Sequence, residues 1–293
     1  MVTALPHHIR LRLEQTLAQW RQWDCTPSLQ AAPTVAAVLS DGHSNHSVLV
    51  GTGQRFVVRI DGINPAANGL NRRGEWRSLL AAHRAELAPW PRYFNPDLGS
   101  LVCDYLPPDE HQPPAIEAVA RLLRGIHQLP TRHQRLDLAE RILNYQKRLE
   151  HQGRALAGEL TIYRKPVLAA LAGAVEQAQP SVLCHHDLLR ANRIYSGGRL
   201  WAIDWEYCAM GSPWYDLAVV AAGDELEDAE LAGLLEAYLE RPAEEQELQL
   251  VMAYSCAYRY LELLWYLALD HPHLEASLLR QKLTRLAATL DRI

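Results

Sequence analysis

No run of apolar residues in the chain reaches the roughly 18 positions that a membrane-crossing helix needs. No membrane role is expected. The opening stretch MVTALPHHIRLRLEQTLAQW is charged throughout and holds no apolar signal core. The five cysteines, Cys25, Cys103, Cys184, Cys208 and Cys256, are odd in number, scattered and never spaced as CxxC. That pattern argues against a disulfide framework or a cysteine zinc site and for a reducing, cytoplasmic setting. There is no basic excess: Lys and Arg number 29, Asp and Glu 34, and the formal charge is −5. The electrostatic footprint of a nucleic-acid binder is missing, whereas a mildly acidic chain suits a cationic substrate. Internal repeats, low-complexity segments, a Walker A loop and an HExxH helix are all absent. GTGQRF at 51–56 lacks the third glycine of a dinucleotide fingerprint and reads as a hairpin turn. GHSNH at 42–46 lacks the last glycine of a nucleophile elbow.

What is present is an ordinary globular composition, 293 residues with 48% hydrophobic and 22% charged. That is material for one large domain or two modest ones. Residues 6–23 read as an amphipathic helix on the spacing of Ile9, Leu13, Leu17 and Trp20. Thr34–Leu39, Ser47–Val50 and Arg55–Ile60 read as strands, the last two joined as a hairpin by Gly51-Thr52-Gly53-Gln54. A helix is expected over 71–88, then strands at Tyr93–Phe94 and Ser100–Asp104. Tyr105-Leu106-Pro107-Pro108 is the linker candidate, since its prolines end the strand and stiffen the chain. Helical patterns fill 113–128, 136–151 and 153–178, strand-like runs mark Val182–Cys184 and Leu200–Ile203, and helices are expected from 214 to 292. The fold class is therefore α+β. A small β-rich N-terminal lobe (1–104) joins a larger, mainly helical C-terminal lobe (109–293) through residues 105–108.

The chemistry concentrates in 182–218. His185-x-Asp187 is followed by four residues and Asn192, and Asp204 comes twelve residues later at the end of an apolar run. A carboxylate on a loop can orient a hydroxyl and accept its proton. An asparagine carbonyl and a second carboxylate are hard oxygen ligands suited to Mg²⁺. Phosphoryl transfer uses such a set, because its catalysis is mainly positioning and charge neutralisation.

This segment resembles the catalytic loop and metal-binding strand of the aminoglycoside phosphotransferase and choline kinase superfamily, relatives of protein kinases. IDWEY at 203–207 is closest in look to the choline kinase and bacterial thiamine kinase branches. GQRFVVR at 53–59 resembles the third strand of the N-lobe, LVCDYLPP at 101–108 the interlobe hinge, and LLRGIHQLP at 122–130 the helix that follows. The resemblance implies a protein-kinase-like fold and a kinase using ATP and Mg²⁺ on a small-molecule alcohol. It implies Asp187 as catalytic base, His185 as organiser of the loop, and Asn192 and Asp204 as metal ligands. Arg59 would contact phosphate, paired with Glu75. Gly42, Ser44 and Asn45 would cover the phosphates, and residues 103–106, Asp104 and Leu106 among them, would meet adenine through backbone groups. Asp216 reads as a structural support of the catalytic loop.

Several of these residues also have plainer readings. Asp204 alone could cap a strand. Glu206 shares a face with Asp204 if the strand continues, and then touches metal or substrate or merely pairs with an arginine. Arg72, Arg73 and Arg77 form a short helical face, by default solvated, with phosphate contact as the lesser reading. Tyr254, Tyr258, Glu262 and Trp265 share a helix face. A carboxylate among aromatics suits an ammonium or thiazolium group. The competing reading is an aromatic core stripe with Glu262 paired to Arg259, and Trp205, Trp214 and Tyr215 divide between pocket wall and core in the same way. The alternatives to a choline- or thiamine-type kinase are two. One is an aminoglycoside or sugar kinase, served by the acidic residues of 224–230 and by Glu244, Glu245 and Glu247. The other is a nucleotide-binding regulator without turnover. The sequence leaves the oligomeric state open.

Overall fold

The computed structural model describes residues 5–41, 45–65, 69–110, 115–152, 156–177, 181–268 and 276–293. The chain divides into two compact units, Met1–Gln112 with Ile194–Tyr207, and Pro113–Arg193 with Cys208–Ile293.

The first unit is built on an antiparallel sheet in the order β1-β2-β3-β5-β4. Its strands are β1 (Thr34–Asp41), β2 (Asn45–Thr52), β3 (Gln54–Asp61), β4 (Pro91–Asn95) and β5 (Ser100–Asp104). β2 and β3 form the expected hairpin, and Gly53 closes its turn at φ +96°. Alternation along β3 puts Phe56, Val58 and Ile60 into the core with Val48 and Val50. Helix α1 (His7–Ala18) packs Ile9 and Leu13 onto that core. Residues on the opposite face of β3, among them Arg59 and Asp61, are also buried, which reserves that face for polar chemistry. Helix α2 (Arg72–Arg84) starts where the Asn71 side chain accepts the Gly74 N–H, and it buries Arg72, Glu75, Ser78, Leu79 and Ala82.

A late segment returns to this unit. β7 (Arg193–Ser196) and β8 (Arg199–Ala202) form a hairpin. Gly197 and Gly198 turn it at φ +61° and +76°, and both donate backbone N–H groups to the Asp109 carboxylate at 2.9 Å. The Ala202 N–H reaches the Leu87 carbonyl at 2.8 Å.

The second unit is mainly helical: α3 (Ile116–His127), α4 (Leu138–His151), α5 (Leu156–Gln177), α6 (Pro213–Gly223), α7 (Asp228–Leu239), α8 (Glu245–Ala268) and α9 (Ala276–Leu290). Helix α8 is central, packed by α4, α5, α6 and α9. The short strands β6 (Val182–Cys184) and β9 (Ala209–Gly211) pair with each other. This differs from two strands simply bracketing the polar loop: β6 and β8 each pair with a strand that the sequence hides. Among the described residues, no helix is long and apolar enough to cross a membrane.

Candidate active site

In the first unit, two arginines interlock four acidic side chains. Arg59 on β3 donates from Nη1 to Glu75 Oε1 at 2.5 Å and from Nη2 to Glu75 Oε2 at 2.8 Å. The same Nη1 donates to Asp204 Oδ1 at 3.0 Å. Arg72 Nη1 donates to Glu75 Oε2 at 2.9 Å and to Glu206 Oε2 at 3.0 Å. Its Nη2 reaches Asn45 Oδ1 at 3.0 Å and Asp61 Oδ1 at 2.7 Å. Asn45 Nδ2 closes the ring by donating to Glu206 Oε2 at 2.8 Å. Gly42 and Ser44 lie outside the described residues.

Charge is unevenly compensated in this cluster. Burial alone would raise the Glu75 pKa, but Arg59 and Arg72 overcome it, and the carboxyl is held below its usual range. Burial and the neighbouring Glu206 push Asp204 well above that range despite Arg59. Burial likewise raises Asp61 against the pull of Arg72. Two guanidiniums thus face four carboxylates. The Nε atoms of Arg59 and Arg72 are buried without an acceptor among the described residues.

Asp204 departs from the strand reading. β8 stops at Ala202, Asp204 takes φ +59° and the chain turns at Glu206–Tyr207, so the alternation that would place Asp204 and Glu206 on one strand face does not apply. Asp204 keeps about 30% of its side chain accessible, whereas Glu206, ion-paired to Arg72, keeps 3%. Trp205 is buried, its Nε1 donating to the Ala202 carbonyl.

In the second unit, Asp216 at the start of α6 organises the loop after β6. Its Oδ2 and Oδ1 accept the backbone N–H groups of His185 and His186, each at 2.7 Å. His127 Nε2 lies 3.2 Å from Asp216 Oδ2, and its Nδ1 lies 2.8 Å from the Tyr238 hydroxyl. Burial opposes ionisation of Asp216, but the His127 hydrogen bond and the nearby histidine charges outweigh it and hold the carboxyl at about 2. His186 sits at φ +63°, and its ring lies so close to Gly211 that a Cβ there would be 2.4 Å from Nε2. The loop then turns tightly. Asn192 Nδ2 donates to both the carbonyl and the Oδ2 of Asp187 at 2.8 Å, which leaves Asn192 Oδ1 as the oxygen donor of that side chain. A buried ion pair between Arg193 and Asp224 ties down the loop's far end.

The linker residues are partly committed within the fold. Arg92 binds the Asp104 carboxylate through Nε at 2.7 Å and Nη2 at 2.8 Å. The Asp104 N–H donates to Trp90 O and the Tyr105 N–H to Arg55 O. The Asp104 side chain and N–H are therefore structural, and the backbone of Leu106 is the next group along.

On α8, Tyr254 is 1% and Tyr258 8% exposed, while Glu262 and Trp265 are half-buried. Tyr254 meets Tyr215 edge to face at 6.1 Å. Glu262 pairs with Lys282 of α9, Oε1 to Nζ 2.6 Å, rather than with Arg259. Trp214 and Tyr215 are buried in α6.

Reading the sequence missed Arg72, grouped there with a solvated basic face. Arg73 and Arg77 are exposed, but Arg72 is 9% exposed. Its signal was the spacing to Glu75, one helical turn away on the same side. Asp61 and Lys282 gave no local signal, because their partners come from other elements.

A model described as APH, phosphotransferase enzyme family, matches residues 35–250. Among solved structures, choline kinase LicA from Streptococcus pneumoniae is similar at TM-score 0.76 and 19% identity, covering 98% of this chain and 100% of that one. A choline/ethanolamine kinase family protein from Mesorhizobium loti is similar at 0.72 and 22%, covering 96% and 95%. The ADP-bound aminoglycoside phosphotransferase APH(2'')-Ib is similar at 0.63 and 14%, covering 97% and 98%. These likenesses show the protein-kinase-like α+β fold. No curated protein matches the chain.

Proposed function

The chain belongs to the phosphotransferase enzyme family and is a small-molecule phosphotransferase, and from that premise we propose that it carries the terminal phosphoryl group of ATP to the hydroxyl of a small cationic metabolite of the choline, ethanolamine or thiamine kind. The observation that carries the nucleotide half is the Arg59–Glu75 pair with Asp204 on the same guanidinium. It is an arginine clamp with a buried spare N–H, suited to a phosphate oxygen.

In this reading Asp187 orients the acceptor hydroxyl and takes its proton as the oxygen attacks phosphorus in line, without a covalent enzyme intermediate. The Asn192 amide fixes the Asp187 carboxylate, and Asp216 with His185 fixes the loop that carries it. Each unit by itself carries donors suited to a hard divalent cation: the first an excess of two carboxylates over guanidiniums, the second the Asn192 amide oxygen, unengaged among the described residues. Asn192 and Asp204 would hold Mg²⁺, which when bound supplies charge neutralisation at the phosphates. Asn45 would lie beside the phosphates, and the Leu106 backbone would meet the adenine edge.

The cationic acceptor is favoured by the half-buried Glu262 among Tyr258, Trp265 and Tyr266. An aminoglycoside would want further carboxylates, but Glu227 and Glu230 form the capping box of α7 and Glu247 pairs with Arg241. The reading keeps the chain in the reducing cytoplasm, where its five thiols stay free. The test is ADP release with Mg-ATP against choline, ethanolamine, thiamine, amino sugars, kanamycin and hexoses, with Asp187→Asn as control. One strong, Asp187-dependent signal from a cationic alcohol is expected. ATP-dependent thermal stabilisation with no product from any alcohol would sink turnover and leave the regulator reading.

A further inference from the structure

The carboxylate offered above as the anchor for a cationic alcohol is already bound to a cation of the chain. Lys282 Nζ lies 2.6 Å from Glu262 Oε1 and 5.2 Å from the centroid of the Tyr266 ring. This is the pairing of carboxylate and aromatic face that an ammonium ligand seeks. The pair belongs to the acceptor side of the second unit. A Cβ on Gly223 would lie 2.3 Å from Leu189 Cδ2 and 3.5 Å from the Tyr258 hydroxyl, so Tyr258 stands close to the loop that carries Asp187. Glu262 and Tyr266 follow Tyr258 one and two turns along the same face of α8. Burial first, then the charges of Glu262 and Asp187, raise the pKa of Tyr258 and Tyr266 alike, which agrees with one shared neighbourhood.

We propose that Lys282 is the resident cation of the acceptor subsite and a specificity-determining residue: a cationic alcohol binds by displacing the Lys282 ammonium from Glu262 and Tyr266. The inference rests on the cationic-acceptor reading and adds to it a competitor built into α9. Lys282 suits exchange. Its ammonium sits on a flexible four-carbon stem, and its side chain is 17% accessible. Water reaches both side chains, 17% and 21% accessible, and a substrate ammonium that takes over the carboxylate leaves no buried charge unpaired, so exchange avoids the cost of simply breaking the pair. A cationic substrate then regains Glu262 and the Tyr266 face, whereas a neutral alcohol gains nothing from evicting Lys282. The subsite thus selects for positive charge and sets a ceiling on how tightly it is held.

The test compares wild type with Lys282→Met, Lys282→Gln and Lys282→Arg. The readouts are KM for the best cationic alcohol of the panel, KM for Mg-ATP, and the inhibition constant of tetramethylammonium chloride, a cation with no hydroxyl. With the competitor removed by Met or Gln, KM for the alcohol and the tetramethylammonium constant both fall about five- to tenfold, and KM for Mg-ATP stays put. With Arg, which grips a carboxylate bidentately and stacks on an aromatic ring, both rise. A folding defect moves the constants in one direction only, so the opposite signs separate it from competition, with thermal melts as control. Unchanged constants in all three variants, or a rise with Met and Gln, overturn the inference and leave the kinase reading standing. Turnover of neutral alcohols alone, by wild type and variants, overturns the cationic acceptor and the inference together.

Discussion

Arg72 and Glu206, 134 positions apart in the chain, are joined by a buried hydrogen-bonded ion pair at 3.0 Å. The contact fastens the start of α2 to the turn that carries Asp204. Because the same Nη1 also binds Glu75, and Glu75 holds Arg59, the helix, the strand and the turn share one network. Arg72→Met strands buried carboxylates and should cost about 3–5 kcal/mol in urea unfolding. Lys in its place supplies one point charge where a fork meets four partners, so Arg72→Lys should recover only part of the stability and lower kcat/KM for Mg-ATP about tenfold or more. A double-mutant cycle with Glu206→Gln should return about 1–3 kcal/mol of coupling. Simple additivity would show that the pair carries no energy of its own.

Asp187→Asn leaves an amide that can still accept from Asn192 but is a far weaker base. Turnover should fall about 10²–10⁴-fold, while the melting temperature and its upward shift with Mg-ATP stay near wild type. Wild-type turnover in this variant would remove Asp187 from the proton-transfer role.

Much of this architecture is written locally. Phe56, Val58 and Ile60 announce β3 by alternation, and the glycines around Thr52 announce its turn. Asp187 and Asn192 stand five positions apart, so the hydrogen bonds between them follow from local spacing. What was not legible depends on partners from elsewhere. β7 and β9, the segments RIYS and AMG, are too short to show a period, and β9 exists because Val182–Cys184 offers it a ladder. Asp204 ends an apolar run that looks like a continuing strand; only its left-handed backbone shows that the chain turns there. Arg72 looks like its solvated neighbours until Asp61 and Glu206 are brought to it. Sequence proximity pairs Glu262 with Arg259, but helix α9 delivers Lys282 instead.

Asp216 predicts an acid-dependent loss of stability. Its carboxyl is held at about 2, against 3.8 for the unperturbed group. A depressed folded-state pKa contributes stability above the unfolded value, and that contribution disappears as pH falls through the folded one. Asp216→Asn, which cannot accept from two N–H groups as a carboxylate does, should therefore be less stable than wild type at pH 7. The gap should narrow by about 2 kcal/mol between pH 4 and 2. Denaturant melts of both proteins across that window check it; a gap independent of pH would assign the effect to geometry alone.

The contact between Gly211 and His186 gives a prediction whose remedy can be designed. Any side chain at Gly211 runs into the His186 ring, since even a Cβ would be 2.4 Å from Nε2. The ring has little room to retreat. His186 is 6% exposed, packs against Tyr215 with ring centroids 5.6 Å apart, and has its backbone pinned by Asp216 at φ +63°. Gly211→Ala should cost about 1–3 kcal/mol by overpacking and should lower turnover too, because the displaced residue adjoins Asp187. Asn is smaller than His and tolerates the left-handed backbone well. His186→Asn should thus be mild alone, and in combination with Gly211→Ala should restore most of the lost stability. Melting temperatures of the two single variants and the double variant decide the matter: a double variant no better than Gly211→Ala alone would place the damage at β9 and not at the catalytic loop.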